Sequence, residues 1–194
     1  MLLVSRSSAR YHHGDLQNAL EEAALELLET VPAGRISLRE VARRAGVSHN
    51  APYHHFGDRA ALLKALGVRA MGDLVAAQEE ALAAEEGAVA RLTAMFGAYV
   101  EYACAHPQAF ALIFDPEYCV PGSPSEEMAA LISRNEELLA SEVADLIRLP
   151  RFEGRDPEAL AAGLWATVHG MSQLVVLGHL PRTASRHALT ALLA

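Results

Sequence analysis

Residues 37–56 constrain the fold most strongly, because their pattern specifies two short helices joined by a tight turn. An apolar stripe with the i, i+3, i+4, i+7 spacing of a helix is formed by Leu38, Val41, Ala42 and Ala45. Ser37 is placed to cap this helix, and Glu40 is placed to reach back to the backbone N–H of Ser37, which together make a capping box. Gly46 then allows the left-handed conformation that ends many helices. The pattern predicts a first helix that begins after Ser37 and stops at a tight turn.

The second helix of the pair is short and carries a polar outer face. Ser48 is its expected N-cap, Pro52 lies close enough to the first turn to be tolerated, and the helix is expected to end near Phe56. Its outward side chains are hydrogen-bonding types of intermediate length: His49, Asn50, Tyr53 and His54. Such a face suits the DNA major groove better than a core, because base edges are read by hydrogen bonds. We therefore predict a DNA-binding helix-turn-helix rather than an ordinary helical hairpin.

The segment from about Tyr11 to Leu66 resembles the DNA-binding half of the tetracycline-repressor-like (TetR) family of transcriptional regulators. The motifs that carry the resemblance are, in order, Ile36-Ser37-Leu38-Arg39-Glu40-Val41-Ala42, Ala45-Gly46-Val47-Ser48, Tyr53-His54-His55-Phe56 and Asp58-Arg59-Ala60-Ala61-Leu62-Leu63. Ala51 and Pro52 depart from the family, which more often has a hydroxyl residue and a leucine at these positions. The resemblance implies a DNA-binding domain at 11–57 and a helical regulatory, ligand-binding and dimerisation domain at 58–194. Residues 1–10 are expected to form a disordered basic arm.

Nine residues are candidates for contact with DNA: Ser37, Arg39, Ser48, His49, Asn50, Tyr53, His54, His55 and Arg59. The side chains expected to read base edges are Arg39, His49 and Asn50, and an arginine can donate two hydrogen bonds to one guanine. Phosphate contacts, which fix register rather than sequence, are expected from Tyr53, His55 and Arg59. The alternative is that both arginines belong to a solvated helix face and that His55 packs under the turn.

The charge is divided unevenly along the chain. Residues 1–70 hold nine Lys and Arg against seven Asp and Glu, which gives +2, whereas the whole chain has a formal charge of −8. Residues 71–194 therefore carry a formal charge of −10, and electrostatic repulsion is expected to keep them away from DNA. Because +2 is modest, DNA binding is expected to depend on two copies acting together and on salt concentration.

We expect the chain to work in the cytoplasm. Its two cysteines, Cys104 and Cys119, form no CxxC motif, and the apolar opening at residues 1–4 is too short for a secretory leader. Residues 159–181 lack Asp, Glu, Lys and Arg and are long enough to span a bilayer. Their polar residues and three glycines favour a core or subunit-interface helix instead.

Helical periodicity and capping signals continue to the end, so the sequence predicts an all-α fold of about nine helices. Besides the helix-turn-helix pair, the expected helices are 15–31, 58–84 with Asp58 as cap, 88–105, 107–114, one opened by Ser123-Pro124-Ser125-Glu126 and ending near 149–150, one begun by Asp156-Pro157, and 183–193.

The C-terminal two thirds contain the candidate effector-binding residues: Phe96, Tyr99, Tyr102, Phe110, Phe114, Trp165 and His169. Most large apolar side chains are buried simply for packing, so each is also a candidate core residue. Trp165 and His169 are one helical turn apart and share a face, so they either flank a ligand or meet across a dimer axis.

Residues 164–170, Leu-Trp-Ala-Thr-Val-His-Gly, resemble the Trp-His-Gly motif of one subgroup of TetR-like regulatory domains, and residues 11–16 are similar to that subgroup's N-terminal signature. The resemblance implies that the last two helices pack with their mates into a dimeric four-helix bundle. It also implies that the domain encloses a small-molecule pocket.

The sequence thus predicts a ligand-responsive transcriptional repressor that binds a palindromic double-stranded DNA operator as a homodimer and is released by a small molecule. No metal or cofactor is expected, since no second ligand accompanies His169 at i+3 or i+4. The alternatives are a helical small-molecule-binding protein, an adaptor that lost DNA binding, or an enzyme. For an enzyme, no nucleophile–base pair or phosphate-binding glycine loop is visible.

Overall fold

The structure, a computed structural model, describes residues 13–193. The arm predicted at 1–10 and the start of the N-terminal signature lie outside the described residues. Within them the chain has no strand, and its α-helices are α1 (His13–Leu28), α2 (Leu38–Arg44), α3 (Ala51–Phe56), α4 (Arg59–Ala83), α5 (Ala88–Ala105), α6 (Pro107–Phe114), α7 (Glu126–Leu146), α8 (Pro157–Val176) and α9 (Arg182–Leu193). The prediction of an all-α fold with about nine helices is confirmed for this part of the chain. Contacts divide the chain into two compact units between Leu63 and Lys64, and α4 continues across the division.

The first unit is a small bundle in which α1, α2 and α3 pack against one another. The apolar stripes that predict α1 and α2 are the faces that these helices bury. Its core contains Leu20, Ala24, Leu27, Leu28, Ile36, Leu38, Val41 and Ala42. Burial of this stripe, rather than helix propensity, is what stabilises helices as short as α2.

The start of α2 is confirmed, although only half of the capping box forms. The Ser37 hydroxyl accepts a hydrogen bond of 3.2 Å from the backbone N–H of Glu40. The Glu40 carboxylate does not return to Ser37, because it accepts a 3.0 Å hydrogen bond from Nε of Arg43 instead. This pairing holds the pKa of the Glu40 carboxyl below its ordinary value.

The predicted N-cap of the second helix is wrong. The helix begins at Ala51, and Asn50 is its N-cap residue without a side-chain capping bond. If Ser48 were the N-cap, the first i to i−4 hydrogen bond of the helix would run from the N–H of residue 52 to the carbonyl of Ser48, and proline has no N–H. The later start places Pro52 in the first turn, where no such bond is needed. Pro52 at the second helical position also removes one of the two N–H groups that a capping side chain binds.

In the second unit α5 lies at the centre and contacts α6, α7, α8 and α9. Its buried residues are Leu92, Met95, Phe96, Tyr99, Val100 and Ala103. The predicted cap of α4 is confirmed, since Asp58 accepts from the N–H of Ala61 at 2.8 Å. The predicted start of α8 at Asp156-Pro157 is also confirmed, and the Asp156 side chain caps that helix by accepting from the N–H of Ala159 at 3.0 Å.

The expected opening and end of α7 are both wrong by a few residues. Its cap is Ser125, whose hydroxyl accepts from the N–H of Met128 at 3.3 Å, and not Ser123. This later start places two glutamates in the first turn, where they interact favourably with the helix dipole. The helix ends at Leu146 because Pro150 disfavours helical backbone at Leu149, which is extended with ψ 138°.

An ion pair between a half-buried guanidinium and a buried carboxylate joins three helices of the second unit. The Arg91 guanidinium on α5 donates two hydrogen bonds, of 2.9 and 2.6 Å, to the Glu142 carboxylate on α7. A third N–H donates to the carbonyl of Leu82 at 2.8 Å, near the end of α4, where carbonyls lack helical partners. The Glu142 side chain is only 5% exposed.

Replacing either of two glycines of α4 by alanine is expected to change the stability of the protein in different ways. A Cβ at Gly67 would lie 3.2 Å from the carbonyl oxygen of Leu112, whereas a Cβ at Gly72 would lie 4.0 Å from a methyl group of Leu131. Since alanine in a helix interior is favoured over glycine by about 0.5–1 kcal/mol, Gly72→Ala is expected to raise the free energy of unfolding by that amount. Gly67→Ala should gain less or destabilise, because a backbone carbonyl cannot rotate away. Equal gains for both variants in urea unfolding would contradict this close approach.

Candidate DNA interface and aromatic cluster

The turn between α2 and α3 is fixed by backbone hydrogen bonds. The N–H of Gly46 donates to the carbonyl of Arg43 at 3.3 Å, and the N–H of Val47 donates to the carbonyl of Ala42 at 3.0 Å. This pair of bonds is a Schellman motif, and it requires the positive φ of 67° that Gly46 adopts. The orientation of α3 relative to α2 is therefore set by the turn chemistry that the sequence predicts.

Seven of the nine predicted DNA contacts are exposed, namely Ser37, Arg39, Ser48, His49, Asn50, Tyr53 and His54. Only the last two project from α3, and Tyr53 is 47% exposed. His49 and Asn50 lie in the turn before α3, so their predicted place on the face of the second helix is wrong. The cause is the later helix start that Pro52 imposes. Together these residues form one exposed polar segment around the start of α3.

The arginines of α2 differ in their pairing. Arg43 is paired with Glu40, and Nε of Arg44 lies 2.7 Å from Glu26. Arg39 is exposed and forms no ion pair with any residue that the structure describes. Its guanidinium is therefore the cation of α2 that is available to another molecule.

The two remaining candidates, His55 and Arg59, are half-buried. Arg59 donates a 3.1 Å hydrogen bond to the carbonyl of Ala33, which ties the start of α4 to the turn before α2. Its Nε is buried and has no partner within residues 13–193. The ring of His55 lies 6.5 Å from that of Phe56. This arrangement supports a bracing role for Arg59, whereas its contact with phosphate stays a prediction.

In the second unit, five of the seven predicted effector residues come together in an aromatic cluster of Tyr99, Phe110, Phe114, Trp165 and His169. The His169 ring is its centre. The centroid distances from this ring are 4.5 Å to Phe114, 5.8 Å to Phe110, 6.0 Å to Trp165 and 6.3 Å to Tyr99. Tyr99 and Phe110 are buried, whereas Trp165 is 44% and Phe114 36% exposed. The cluster thus connects the core to the surface.

The other two predicted effector residues do not belong to this cluster. Phe96 is 1% exposed and packs in the core. The ring of Tyr102 lies 5.1 Å from that of His106 instead.

A hydrogen bond of 2.9 Å joins the Tyr99 hydroxyl to Nδ1 of His169. Burial raises the pKa of Tyr99 well above its ordinary value, so its hydroxyl keeps its proton at neutral pH. Burial also lowers the pKa of His169, which favours the neutral imidazole. Which of the two groups donates depends on the tautomer of the His169 ring.

Helix α8 has an unusual exposed surface. Among the helices that the structure describes, α8 is the one that is long and apolar enough, by length and composition, to cross a membrane. Only 28% of its most apolar stretch is buried. We define the α8 face as one stripe of exposed small and apolar residues, with the adjoining Gly170 and the C-cap residue Leu177; Trp165 is also exposed but does not belong to it. Its members are Ala159, Ala162, Gly163, Ala166, Gly170, Leu174 and Leu177.

An exposed polar helix-turn-helix on one unit and a separate helical unit define a helix-turn-helix transcriptional regulator. The chain belongs to the TetR family of these regulators. Residues 20–66 match the family described as bacterial regulatory proteins, tetR family, and residues 92–194 match the family described as tetracyclin repressor-like, C-terminal domain. The predictions of a DNA-binding regulator and of a protein other than an enzyme are thereby confirmed.

Solved structures show the same fold over nearly the whole chain. A Rhodococcus sp. RHA1 protein of unknown function is 33% identical, with a TM-score of 0.79, and the match covers 96% of this chain and 97% of that one. The regulator FadR from Bacillus subtilis, solved in complex with stearoyl-CoA, is 16% identical, with a TM-score of 0.69 and coverage of 91% and 96%. The TetR family regulator PfmR from Thermus thermophilus is 22% identical, with a TM-score of 0.68 and coverage of 90% and 96%. No functionally curated protein matches the sequence.

Proposed function

We propose that this TetR-family regulator is a cytoplasmic, homodimeric repressor that binds a roughly palindromic operator and is released by a small molecule. Residues 11–57 are the DNA-binding domain in this proposal, and residues 58–194 are the regulatory and dimerisation domain. The observation that carries the proposal is the exposed polar surface of the helix-turn-helix, with an arginine that no described residue neutralises. A face of this kind reads base edges when the second helix enters the major groove.

Arg39 is the residue we assign to direct base reading, together with His49 and Asn50. Tyr53, His54 and His55 are assigned to the groove and its phosphates, and Ser37, Ser48 and Arg59 complete the proposed interface. Because residues 1–70 carry a formal charge of only +2, two copies of the chain acting on one duplex would supply the necessary phosphate contacts.

Glycines on the α8 face support dimerisation through α8 and α9. A Cβ at Gly163 or Gly170 would meet no atom within 4 Å, and neither glycine has a positive φ. A helix-interior glycine costs about 0.5–1 kcal/mol relative to alanine. Since neither backbone conformation nor packing within the described chain requires these glycines, close approach of a second helix accounts for them. We infer that the α8 face pairs with its copy in a four-helix bundle, and that the chain belongs to the Trp-His-Gly subgroup.

Release by a small molecule is supported by the fold and by α4. A relative in fold, FadR, is solved with stearoyl-CoA, so this architecture accommodates a small-molecule ligand, in that protein a long-chain acyl thioester. Helix α4 is continuous across the division between the two units, so a shift of its second part would reach the helix-turn-helix. A ligand that prefers the non-binding arrangement by about 1–3 kcal/mol would lower operator affinity about 5- to 150-fold.

Selection from random-sequence duplexes at low salt tests the proposal. The protein is expected to enrich a dyad-symmetric sequence, and Arg39→Ala is expected to lose about 1–3 kcal/mol of discrimination at one position of each half-site. Arg148→Ala is the matched control, because it removes one exposed arginine from the second unit, where Arg148 pairs with Asp145. A wild-type protein that enriches no dyad-symmetric sequence would contradict the proposal.

A further inference from the structure

We infer that DNA binding by this regulator takes up protons at His49 and His54, so that its affinity for an operator rises as the pH falls from 8 to 6. The inference rests on the proposed function, because it adds proton uptake to the proposed DNA interface. It is carried by the scarcity of unpaired cations at that interface and by two exposed imidazoles that lie within it.

Few permanent cations are available at the proposed interface. The first unit contains no lysine, and the described part of it has five arginines. Three of these are engaged within the unit: Arg43 with Glu40, Arg44 with Glu26, and Arg59 with the carbonyl of Ala33. Arg35 and Arg39 are exposed and form no ion pair with any residue that the structure describes. Two unpaired cations are few for a surface that neutralises phosphates, so additional positive charge has a large effect on binding.

Two imidazoles are exposed on the polar segment around the start of α3. His49 lies in the turn before α3, and His54 projects from the helix itself. Neither ring forms a hydrogen bond or an ion pair within the described part of the chain. Histidine is the side chain whose charge ordinarily changes between pH 5 and pH 8. Both rings are therefore free to gain a proton when negative charge approaches them.

The protein itself supplies no counter-ion to these two rings. Helices α1 and α2 contact α3. The described carboxylates of these helices and of the residue before α4 are Glu21, Glu22, Glu26, Glu40 and Asp58. None of them forms an ion pair with His49 or His54, since Glu26 and Glu40 pair with arginines and Asp58 caps α4.

The neighbouring basic groups act equally in the free and the DNA-bound protein. Those on α2, at the end of α3 and at the start of α4 are Arg39, Arg43, Arg44, His55 and Arg59. The arginines stay charged in both states, so their repulsion of a second positive charge does not change on binding. A change in protonation of His49 and His54 on binding is therefore caused by the DNA.

A duplex supplies the missing negative charge. Its phosphates and grooves carry a negative potential, which favours the protonated over the neutral form of a nearby imidazole. The bound protein then holds more protons than the free protein, and binding strengthens as the pH falls. The gain is fully present below the pH range in which the free imidazoles titrate, and it is lost as the pH rises through the higher range of the bound imidazoles. Acidification thus opposes release of the DNA by an effector.

Affinities measured at constant ionic strength between pH 6 and pH 8 test the inference. Protonation is expected to strengthen binding about twofold for each of the four imidazoles of a dimer, so operator affinity should be roughly tenfold or more higher at pH 6. Anisotropy of a duplex with a pH-insensitive label gives the affinity. Calorimetry in two buffers of different ionisation enthalpy should show net proton uptake. An affinity that stays constant or falls towards pH 6 would overturn the inference.

Glutamine variants assign the effect to the two rings, because an amide keeps hydrogen-bonding groups but gains no proton in this range. His49→Gln and His54→Gln should each reduce the pH dependence, and the double variant should abolish it, while circular dichroism checks the fold. His106→Gln, which removes an exposed imidazole of the second unit, is the control and should keep the wild-type dependence. A folded double variant with the full wild-type dependence would contradict the assignment.

A duplex of unrelated sequence separates this inference from the proposed function, because phosphate contacts do not depend on sequence. If the pH dependence appears on this duplex at low salt although no dyad-symmetric operator is selected, proton uptake stands and the proposed function fails. If an operator is selected but is bound equally at pH 6 and pH 8, the proposed function stands and proton uptake is contradicted.

Discussion

Replacement of Arg91 by methionine is expected to lower the free energy of unfolding by about 1–3 kcal/mol, the usual cost of leaving a buried polar group without its partner. The Glu142 carboxylate, 5% exposed, would remain buried without its two charge-assisted hydrogen bonds. The carbonyl of Leu82 would lose its donor in the same variant. Denaturant unfolding of the full chain at neutral pH measures the loss.

Arg134→Met is the matched control for this prediction. Arg134 also joins two helices through a carboxylate, since its guanidinium lies 2.7 Å from Glu79, but the two side chains are 53% and 40% exposed. An exposed pair of this kind contributes about 0–1 kcal/mol. Similar losses in the two variants would show that burial of Glu142 is not what makes the Arg91 pair important.

Gly170→Arg is expected to convert the dimer to a monomer and to abolish specific operator binding. The substitution places a cation on the α8 face, where the proposed partner helix approaches, and an unpaired buried charge is strongly unfavourable. A monomer engages one half-site, so affinity should fall about a thousandfold or more, from the specific towards the non-specific range. Light scattering gives the mass, and titration of the selected operator gives the affinity.

The fold of the Gly170→Arg monomer should be preserved, because a Cβ at this position meets no atom of the described chain within 4 Å. Circular dichroism checks this point. Ala140→Arg, at an exposed alanine of α7, is the control and should leave both mass and operator affinity unchanged. A Gly170→Arg protein that stays dimeric would contradict the assignment of the α8 face.

Local signals in the sequence account for most of the helix boundaries. Asp58 is correctly predicted as a cap and Asp156-Pro157 as a helix start, because both depend on residues within one turn. The error at Ser48 arises because Pro52 follows four residues later, and the cost of placing that proline decides which residue becomes the cap. At Ser123, Pro124 would be tolerated at the first helical position, and the later cap Ser125 instead places two glutamates in the first turn.

Contacts between residues that are far apart in the chain could not be predicted from the sequence. The shared face of Trp165 and His169 follows from their spacing, but the Tyr99 hydroxyl that is hydrogen-bonded to His169 lies 70 positions away. Arg91 and Glu142 are 51 positions apart, and no local pattern connects them. The half-buried state of Arg59 depends likewise on the carbonyl of Ala33, 26 positions earlier. Such pairs form because of the way the helices pack against one another. The sequence shows the order of the helices but not their contacts.

The number of chains bound to one operator duplex tests the central claim most directly. Native mass spectrometry of the complex with a selected duplex is expected to show two chains per duplex. A duplex cut to one half-site should bind far more weakly. If the wild-type protein instead saturates a full-length operator as a complex of one chain per duplex, the claim that this regulator reads DNA as a dimer would be contradicted.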